Sequence, residues 1–304
     1  MMGFLNVYKP KGVTSHDVID EIRKKLGTRR VGHAGTLDPF AEGVLVVGIG
    51  SATRLLEYLQ VERKKYFVKI LLGITTETFD ITGEVVEERV CDKAEEEIIE
   101  TIKSFKGRYK QVPPAYSAKK YKGERLYKLA RKGKIISLPP VEVEIYSIEN
   151  IKINIPHVTL EVEVSKGTYI RSLCMDIGYK LGCGATAEEL VRISVGDFEL
   201  KNSINPFETG KDKLLKNMLN VEKVLNLPKV EVYKDSVEKI FNGIQPTMDF
   251  LKTIFDDFPK EQDVMLLCEG ELIAVARAER SSKFIEKNYP KGKIFKLKKV
   301  FREI

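Results

Sequence analysis

Hydrophobic residues near the start of the chain follow first a helical and then a strand-like spacing. One helix face is predicted by four apolar residues, Val18, Ile19, Ile22 and Leu26. Ser15 is placed to cap this helix and Gly27 to end it. The continuous apolar run Val44–Val47 predicts a buried strand. Residues 32–39 therefore form a glycine-punctuated loop that regular structure holds at both ends.

Strands and helices are interspersed over the rest of the first 200 residues. Residues 1–7 run directly into strand-like sequence. Further strands are predicted over 66–72, 141–148 and 158–164, and helices over 53–59, 94–105 and 168–181. Residues 76–88 predict a turn through Asp80 and Gly83 into a strand. Gly107 is placed to stop the second helix and Thr168 to cap the third. Several strands are joined too tightly for a parallel crossover, which predicts an α+β (mixed α/β) fold with a mainly antiparallel central sheet.

A smaller β-rich unit is predicted at the C-terminus. Residues 202–228 are polar and lysine-rich and lead to Pro228. After them the pattern predicts a helix over 236–241, ended by Asn242-Gly243, and strands over 264–268, 272–278 and 294–300. The predicted division is therefore a first domain over 1–228, with an insert at about 106–134, and a second domain over 229–304.

Composition narrows the class of protein. The 304 residues contain no apolar run of membrane-spanning length, and the first residues lack a basic region and cleavage site, so a cytoplasmic protein is expected. The four cysteines form no C-x-x-C pair, which argues against a zinc site and favours buried, reduced thiols.

Charge indicates a polyanionic partner. The formal net charge is +7, and the interval 106–134 is rich in basic residues and almost free of acidic ones. Its first part also interleaves aromatic residues on a proline-rich, non-periodic segment. This composition suits looped or single-stranded RNA, whose phosphates bind cations and whose splayed bases stack on rings. A solvated surface loop is the alternative.

Three residues are candidates for chemistry on the residue pattern alone. Asp38 lies in the glycine-punctuated loop, where it is either a functional carboxylate or a turn cap. Arg171 lies where a strand turns into a helix, where it either faces a carboxylate or a phosphate or is an ordinary surface arginine. Tyr66 is either a site residue or core packing of its strand. The turn around Gly48 and Gly50 lacks the remaining signals of a nucleotide-binding loop, so a kinase is a weaker alternative.

Taken in order, several segments resemble the bacterial tRNA pseudouridine synthase B (TruB) family, the tRNA pseudouridine-55 synthases. The matching segments are Asn6–Gly12, Gly32–Pro39, Lys65-Tyr66, Thr78–Gly83, Pro113–Ala118 and Lys166–Arg171. The resemblance covers nearly all of the chain to about Phe198 and implies the pseudouridine synthase fold. The C-terminal unit resembles a PUA domain, mainly through its helix, Asn242-Gly243 and 271–276.

The resemblance also implies site residues. Asp38 falls on the family's catalytic aspartate, Tyr66 on the tyrosine packed against the target base, and Arg171 on the arginine paired with the aspartate. His33 falls on the histidine that enters the RNA loop as the base is flipped. Further RNA contacts are expected from Lys9, Tyr116, Lys119, Lys120, Tyr169 and Arg192. One departure is Val191, where relatives commonly carry arginine.

The implied reaction isomerises uridine at position 55 of the tRNA T loop without a metal or cofactor. Attack by Asp38 at C6 of the base, attack at C1′ and removal of the 2′ proton all remain open. A stand-alone enzyme is expected, because motif sequence begins near Met1 and no long basic tail follows the second domain. A monomer fits a family that works on a bulky folded RNA. The alternatives are a guide-dependent pseudouridine synthase and a non-catalytic tRNA-binding or folding factor, which need not retain Asp38, Tyr66 and Arg171 together.

Overall fold

The computed structural model describes residues 1–117, 119–130, 132–134, 136 and 138–302. The strands are β1 (Gly3–Lys9), β2 (Val31–His33), β3 (Glu42–Ile49), β4 (Lys64–Leu72), β5 (Ile74–Thr76), β6 (Val85–Glu88), β7 (Gly107–Gln111), β8 (Lys120–Tyr121), β9 (Glu124–Arg125), β10 (Val141–Asn154), β11 (His157–Val164), β12 (Ala185–Val195), β13 (Phe198–Glu199), β14 (Lys229–Val232), β15 (Leu251–Ile254), β16 (Asp263–Cys268), β17 (Glu271–Ala278) and β18 (Phe295–Val300). The α-helices are α1 (Ser15–Leu26), α2 (Leu56–Gln60), α3 (Glu95–Lys103), α4 (Leu126–Ala130), α5 (Ile170–Leu181), α6 (Lys211–Lys216), α7 (Val221–Val224), α8 (Val237–Phe241) and α9 (Ser282–Asn288).

A large mixed sheet organises the first part of the molecule. Its strand order is β1-β3-β12-β4-β11-β10-β7, with β2 paired to β3 and β13 to β12. Every pairing between these strands is antiparallel except that of β12 with β3. The prediction of a mixed fold with a mainly antiparallel sheet is therefore confirmed.

Strand β4 lies in the middle of this sheet and shows why it is stable. Alternate residues from Tyr66 to Leu72 are buried, as expected for one face of a strand packed on a core. They contact a hydrophobic cluster that includes the buried face of α5, among them Leu173, Cys174 and Ile177. The predicted burial of Cys174 is confirmed, and all four cysteines are free and buried.

Helix α1 begins one residue differently from the prediction. Thr14, in an extended conformation, is the cap: its hydroxyl accepts from the Asp17 N–H, and the Asp17 carboxylate accepts from the Thr14 N–H. Ser15 is instead the first helical residue, and its hydroxyl bonds both the N–H and the C=O of Leu37. Gly27 ends the helix in a left-handed conformation, as predicted.

Two other predicted helix boundaries are also corrected. Helix α3 ends at Lys103, and Gly107, with φ of 105°, begins strand β7 rather than stopping the helix. Helix α5 begins at Ile170 after Tyr169, and the Thr168 hydroxyl donates to the Ser165 carbonyl instead of capping it. The predicted helix over 53–59 is a 3₁₀ turn, Gly50–Leu55, followed by α2.

The C-terminal strands form a second sheet of order β15-β14-β16-β17-β18. Strands β14 and β15 and helix α9 were not predicted from the residue pattern. Met265, Val275 and Phe301 from this part share one hydrophobic cluster with Phe4 and Val44 of the first sheet. The Tyr58 hydroxyl also donates to the Asp263 carboxylate at 2.8 Å. The two sheets are thus packed through a common apolar core.

In the described ranges, no helix is long and apolar enough to cross a membrane. The same part of the chain contains no cluster of three or more His, Cys, Asp and Glu side chains that could hold a metal ion.

Candidate active site

The loop that carries Asp38 is fixed by side chains from other elements. The Ser15 hydroxyl holds Leu37 from α1, and the Lys9 ammonium donates to the Ala41 carbonyl at 2.7 Å. On the opposite side, Arg192 donates from Nη2 to the Gly35 carbonyl at 3.1 Å. Gly35 has φ of 94°, a conformation that favours glycine. The loop therefore presents Asp38 from a rigid frame.

Asp38 forms a short ion pair with Arg171. The Asp38 Oδ2 atom lies 2.9 Å from Arg171 Nε, so the structure brings these two predicted site residues together. The side chain of Asp38 is 36% exposed, whereas that of Arg171 is 4% exposed. An external substrate can thus reach the carboxylate while the guanidinium remains enclosed.

Asp80, for which the residue pattern predicted only a turn, is a second carboxylate on the same arginine. Its Oδ2 atom lies 3.2 Å from Arg171 Nη1, and its side chain is 5% exposed. The other carboxylate oxygen accepts from the hydroxyls of Thr78 and Thr82 and from the Thr82 N–H. Arg171 thus bridges an accessible carboxylate and a buried, fully bonded one, which fixes the orientation of the guanidinium.

Backbone carbonyls complete the coordination of Arg171. Nη1 donates to the Thr78 carbonyl at 2.6 Å and Nη2 to the Tyr116 carbonyl at 2.8 Å. Tyr116, predicted to contact RNA, also donates from its hydroxyl to Glu77. The start of the basic insert is therefore bonded directly to the arginine.

Helix α5, which carries Arg171, has no side-chain cap of its own at its first residue. Instead, the buried Gln111 amide accepts from the Tyr169 N–H at 2.8 Å and donates to the Tyr169 carbonyl at 3.0 Å. Burial raises the pKa of Tyr169, and the negative charge of Asp38 raises it further. Tyr169 thus lies within electrostatic reach of Asp38, at the helix start that positions Arg171.

Tyr66 belongs to the same buried cluster as Leu37 and Phe40, which flank the Asp38-Pro39 pair. It is 7% exposed and lies on β4 opposite Arg192 of β12 and Val162 of β11. The structure therefore brings the three predicted catalytic residues, from a loop, a strand and a helix, to one side of the sheet.

The expectation that Lys9 and Arg192 contact RNA does not fit the structure. Lys9 is fully buried, and its ammonium donates to three backbone carbonyls, those of Pro10, Val13 and Ala41. Burial lowers the pKa of Lys9 to about 8. Arg192 is 1% exposed and donates to the carbonyls of Val44 and Gly35. Both cations stabilise the Asp38 loop from within.

A cationic cavity of about 560 Å³ adjoins the Asp38 loop. His33 and Lys119, both predicted RNA contacts, line it. The other charged lining residues are Lys64, Lys166 and one carboxylate, Glu142, so cations are in excess. Lys64 is 8% exposed, and its burial, with the charge of Arg192, lowers its pKa to about 8. The side chain of Lys120 lies outside the described residues. The cavity can accept an anionic chain beside Asp38.

One half-buried carboxyl on α5 gives a testable pH dependence. Asp176 of α5 hydrogen bonds with Tyr109, and burial raises the pKa of Asp176 to about 6. This pKa exceeds that of an aspartate in the unfolded chain, which is roughly 3.9. Between pH ~4 and about 6, the folded state therefore binds one proton more than the unfolded state. The contribution of Asp176 to stability is therefore neutral below pH ~4 and becomes unfavourable as the pH rises through about 6.

We accordingly expect Asp176→Asn to raise the free energy of unfolding by about 1–2 kcal/mol at pH 8, after allowance for partial solvent access, and to leave it unchanged below pH ~4. Denaturant titrations at the two pH values measure the difference. Asp92→Asn, a change in an exposed loop, is the matched control. If Asp176→Asn raises the free energy of unfolding equally at both pH values, burial of the ionised carboxylate is not the cause.

Two protein-family models match consecutive parts of this chain. Residues 23–170 match the model described as TruB family pseudouridylate synthase (N terminal domain), and residues 171–225 match the tRNA pseudouridylate synthase B C-terminal domain.

Full-length relatives are similar along the whole chain. A tRNA pseudouridine synthase B of Thermosipho melanesiensis is 73% identical over 304 residues, which is 100% of both chains. That of Thermotoga maritima is 57% identical and covers 98% of both. Among solved structures, an H/ACA RNP bound to a substrate RNA containing 2′-deoxyuridine has a chain of TM-score 0.74 and 27% identity, with 98% of this chain and 84% of that chain covered.

Proposed function

Since this chain belongs to the TruB family of pseudouridylate synthases, we propose that it isomerises the uridine at position 55 of the tRNA T loop, with Asp38 as the reacting carboxylate. The observation that carries the proposal is the accessible Asp38 held 2.9 Å from the enclosed Arg171. Burying charged side chains costs free energy, and a protein that only binds RNA does not require such an arrangement.

The chemistry is an intramolecular transfer. The bond from N1 to C1′ breaks and a bond from C5 to C1′ forms. The hydrogen on C5 leaves as a proton and N1 takes up a proton, so the product is an isomer and no electrons are gained or lost. Asp38 acts as nucleophile or base in this sequence. Arg171 fixes the carboxylate, and the Tyr66 ring, in the cluster beside the Asp38 loop, retains the detached uracil for reattachment.

Access to the uridine requires that the nucleotide leave its stack. A base that is stacked inside a folded RNA loop cannot contact a carboxylate of the protein unless it is flipped out of the loop. His33 ends β2 just before the Asp38 loop and lines the cationic cavity. We assign it the role of occupying the space that the flipped base vacates. Lys119 and Lys166 supply cations for the adjoining phosphates.

We further propose that the enzyme works without a guide RNA and as a monomer. The solved chain from the H/ACA particle shares 27% of its sequence with this protein, whereas the full-length tRNA pseudouridine synthase B relative shares 73%. The more similar relative supports a tRNA substrate recognised by the protein itself. The C-terminal sheet, proposed to be a PUA-like RNA-binding domain, is packed on the catalytic part through a shared core and can extend the same RNA surface.

The test uses purified protein and a T stem-loop RNA tritiated at C5 of its uridines, without cofactor or guide RNA. We expect release of one tritium per RNA, and no release when cytidine replaces the uridine at position 55. Release that requires an added guide RNA contradicts the stand-alone proposal. Release from the cytidine-substituted RNA contradicts the assigned position.

Replacement of Tyr66 separates chemistry from binding. We expect Tyr66→Ala to slow single-turnover isomerisation by about 100-fold and to change RNA affinity by less than about threefold. The reason is that the Tyr66 ring contacts the detached base and not the RNA backbone. Tyr179→Ala, which removes an exposed tyrosine from α5, is the control and should retain both properties. Equal losses of rate and affinity in Tyr66→Ala contradict the assigned role.

A further inference from the structure

Two thiols lie in direct contact, although 92 positions separate them in the sequence. The Cys183 thiol donates a hydrogen bond to the Cys91 sulfur, and the two Sγ atoms are 2.8 Å apart. Cys91 lies between β6 and α3, and Cys183 lies between α5 and β12. We call these two residues the cysteine pair. Because their side chains point toward each other, a bond between the two sulfurs requires no large movement of the backbone.

The cysteine pair lies at one end of the segment that carries Asp80. Strands β5 and β6 pair with each other, and Asp80 lies in the turn between them, so we call this segment the Asp80 hairpin. At its open end, the Gly73 N–H donates to the Gly184 carbonyl at 2.9 Å, and the Gly73 carbonyl accepts from the Arg89 N–H at 2.7 Å. The cysteine pair is therefore placed where the Asp80 hairpin is hydrogen bonded to the connection between α5 and β12.

The other two cysteines provide an internal comparison. Of the four cysteines, all of which lie in the described part of the chain, only the cysteine pair is in sulfur–sulfur contact. Cys268, on β16 of the C-terminal sheet, is 9% exposed, and so is Cys91. Cys174 is fully buried. A small oxidant can therefore reach Cys268 as readily as Cys91, but only Cys91 has a second thiol beside it.

We propose that the cysteine pair is a redox modification site, which forms a reversible disulfide when a peroxide oxidises it. The bond ties the open end of the Asp80 hairpin covalently to the connection between α5 and β12. It closes a loop of 92 positions, and a cross-link over a long loop stabilises a protein mainly by lowering the entropy of the unfolded chain. The oxidised protein is therefore more resistant to heat than the reduced protein. This inference does not depend on the proposed function.

The oxidation proceeds in two balanced steps. Burial, and next the hydrogen bond to Cys91, raise the pKa of Cys183 to about 12, so Cys91, which follows the exposed Val90, reacts first. Its sulfur attacks hydrogen peroxide: an S–O bond forms, the O–O bond breaks, and the thiol proton leaves with the second oxygen as water. The Cys183 sulfur then attacks the Cys91 sulfur, and the hydroxyl of this sulfenic acid leaves with the Cys183 proton as a second water. The two sulfurs together lose two electrons, which the peroxide accepts.

The test follows the thiols of the folded, purified protein. The reduced protein is treated with hydrogen peroxide, the remaining thiols are alkylated, and the digested chain is analysed by mass spectrometry. We expect one cross-linked peptide pair, joined through Cys91 and Cys183 and lighter by two hydrogen atoms than its separate parts, which dithiothreitol separates again. In Cys183→Ser, Cys91 should stop at the sulfenic acid, which a sulfenic-acid reagent labels. Cys268→Ser is the matched control and should form the cross-link as the wild type does.

Thermal unfolding measures the consequence of the bond. The oxidised wild-type protein and oxidised Cys268→Ser should each unfold about 5 °C above their reduced forms, whereas peroxide should not raise the melting temperature of Cys183→Ser. The proposal is overturned if the folded wild-type protein forms no bond between Cys91 and Cys183, or if the oxidised protein unfolds at no higher temperature than the reduced one. Neither measurement uses RNA, so both results stand whether or not the protein isomerises uridine.

Discussion

Replacing Asp38 with asparagine is expected to abolish pseudouridine formation, with a loss of at least about 1,000-fold in single-turnover rate. Asparagine keeps the size of the side chain but is neither a nucleophile nor a base of comparable strength. RNA affinity should stay within about threefold of wild type, because the basic cavity and the loop frame do not depend on the Asp38 charge. Rate and affinity are measured on the same T stem-loop.

The fold should tolerate this change. Arg171 retains its ion pair with Asp80 and its hydrogen bonds to the carbonyls of Thr78 and Tyr116 when the Asp38 charge is removed. Glu163→Gln, on the exposed face of β11, is a control for the loss of one carboxylate charge. If Asp38→Asn turns over at the wild-type rate, the assignment of Asp38 as the reacting group is wrong.

The second large effect is expected at Arg171. Arg171→Met should destabilise the protein by about 3 kcal/mol, because it leaves the buried Asp80 carboxylate without its cation. It should also lower the isomerisation rate by at least about 100-fold, because nothing then holds the Asp38 carboxylate in place. Denaturant unfolding and single-turnover assays measure the two losses separately.

A double variant distinguishes the structural role of Arg171 from its role in the reaction. Arg171→Met combined with Asp80→Asn removes the unpaired buried charge, so it should recover much of the lost stability. It should not recover the rate, since Asp38 still lacks its partner. Recovery of both properties means that Arg171 serves folding alone.

The residue pattern predicted the elements whose signals are local. The buried face of α1 and the strand over 66–72 were predicted from residues a few positions apart, and the structure confirms both. The cap of α1 was assigned one residue too late, although Thr14 and Asp17 form a capping box that the sequence contains. A threonine followed three residues later by an acidic residue is the sequence signal of a capping box, and it could have identified Thr14 as the cap.

Strand β12 was missed because its alternation is interrupted. Its pairing with β4 shifts register between Ala187 and Glu189 and again between Arg192 and Ser194. Each bulge moves the following side chains to the other face, so neighbouring residues no longer follow a period of two. The two adjacent glutamates, Glu188 and Glu189, further obscure the apolar pattern.

Burial of charged residues could not be predicted from local sequence. The family resemblance implied that Lys9 and Arg192 contact RNA, and cations are usually exposed. Their burial depends on backbone carbonyls such as Ala41 and Val44, which folding brings from distant parts of the chain. Asp80 gained a role only when the fold placed it 3.2 Å from Arg171, 91 positions away in sequence.

The most direct test of the central claim is site-resolved mapping of pseudouridine in a complete, unmodified tRNA after incubation with the purified protein alone. The proposed function predicts a single new pseudouridine, at position 55 of the T loop, and none when Asp38→Asn replaces the wild-type protein. Pseudouridine at another position, or its formation at position 55 by Asp38→Asn, contradicts the account.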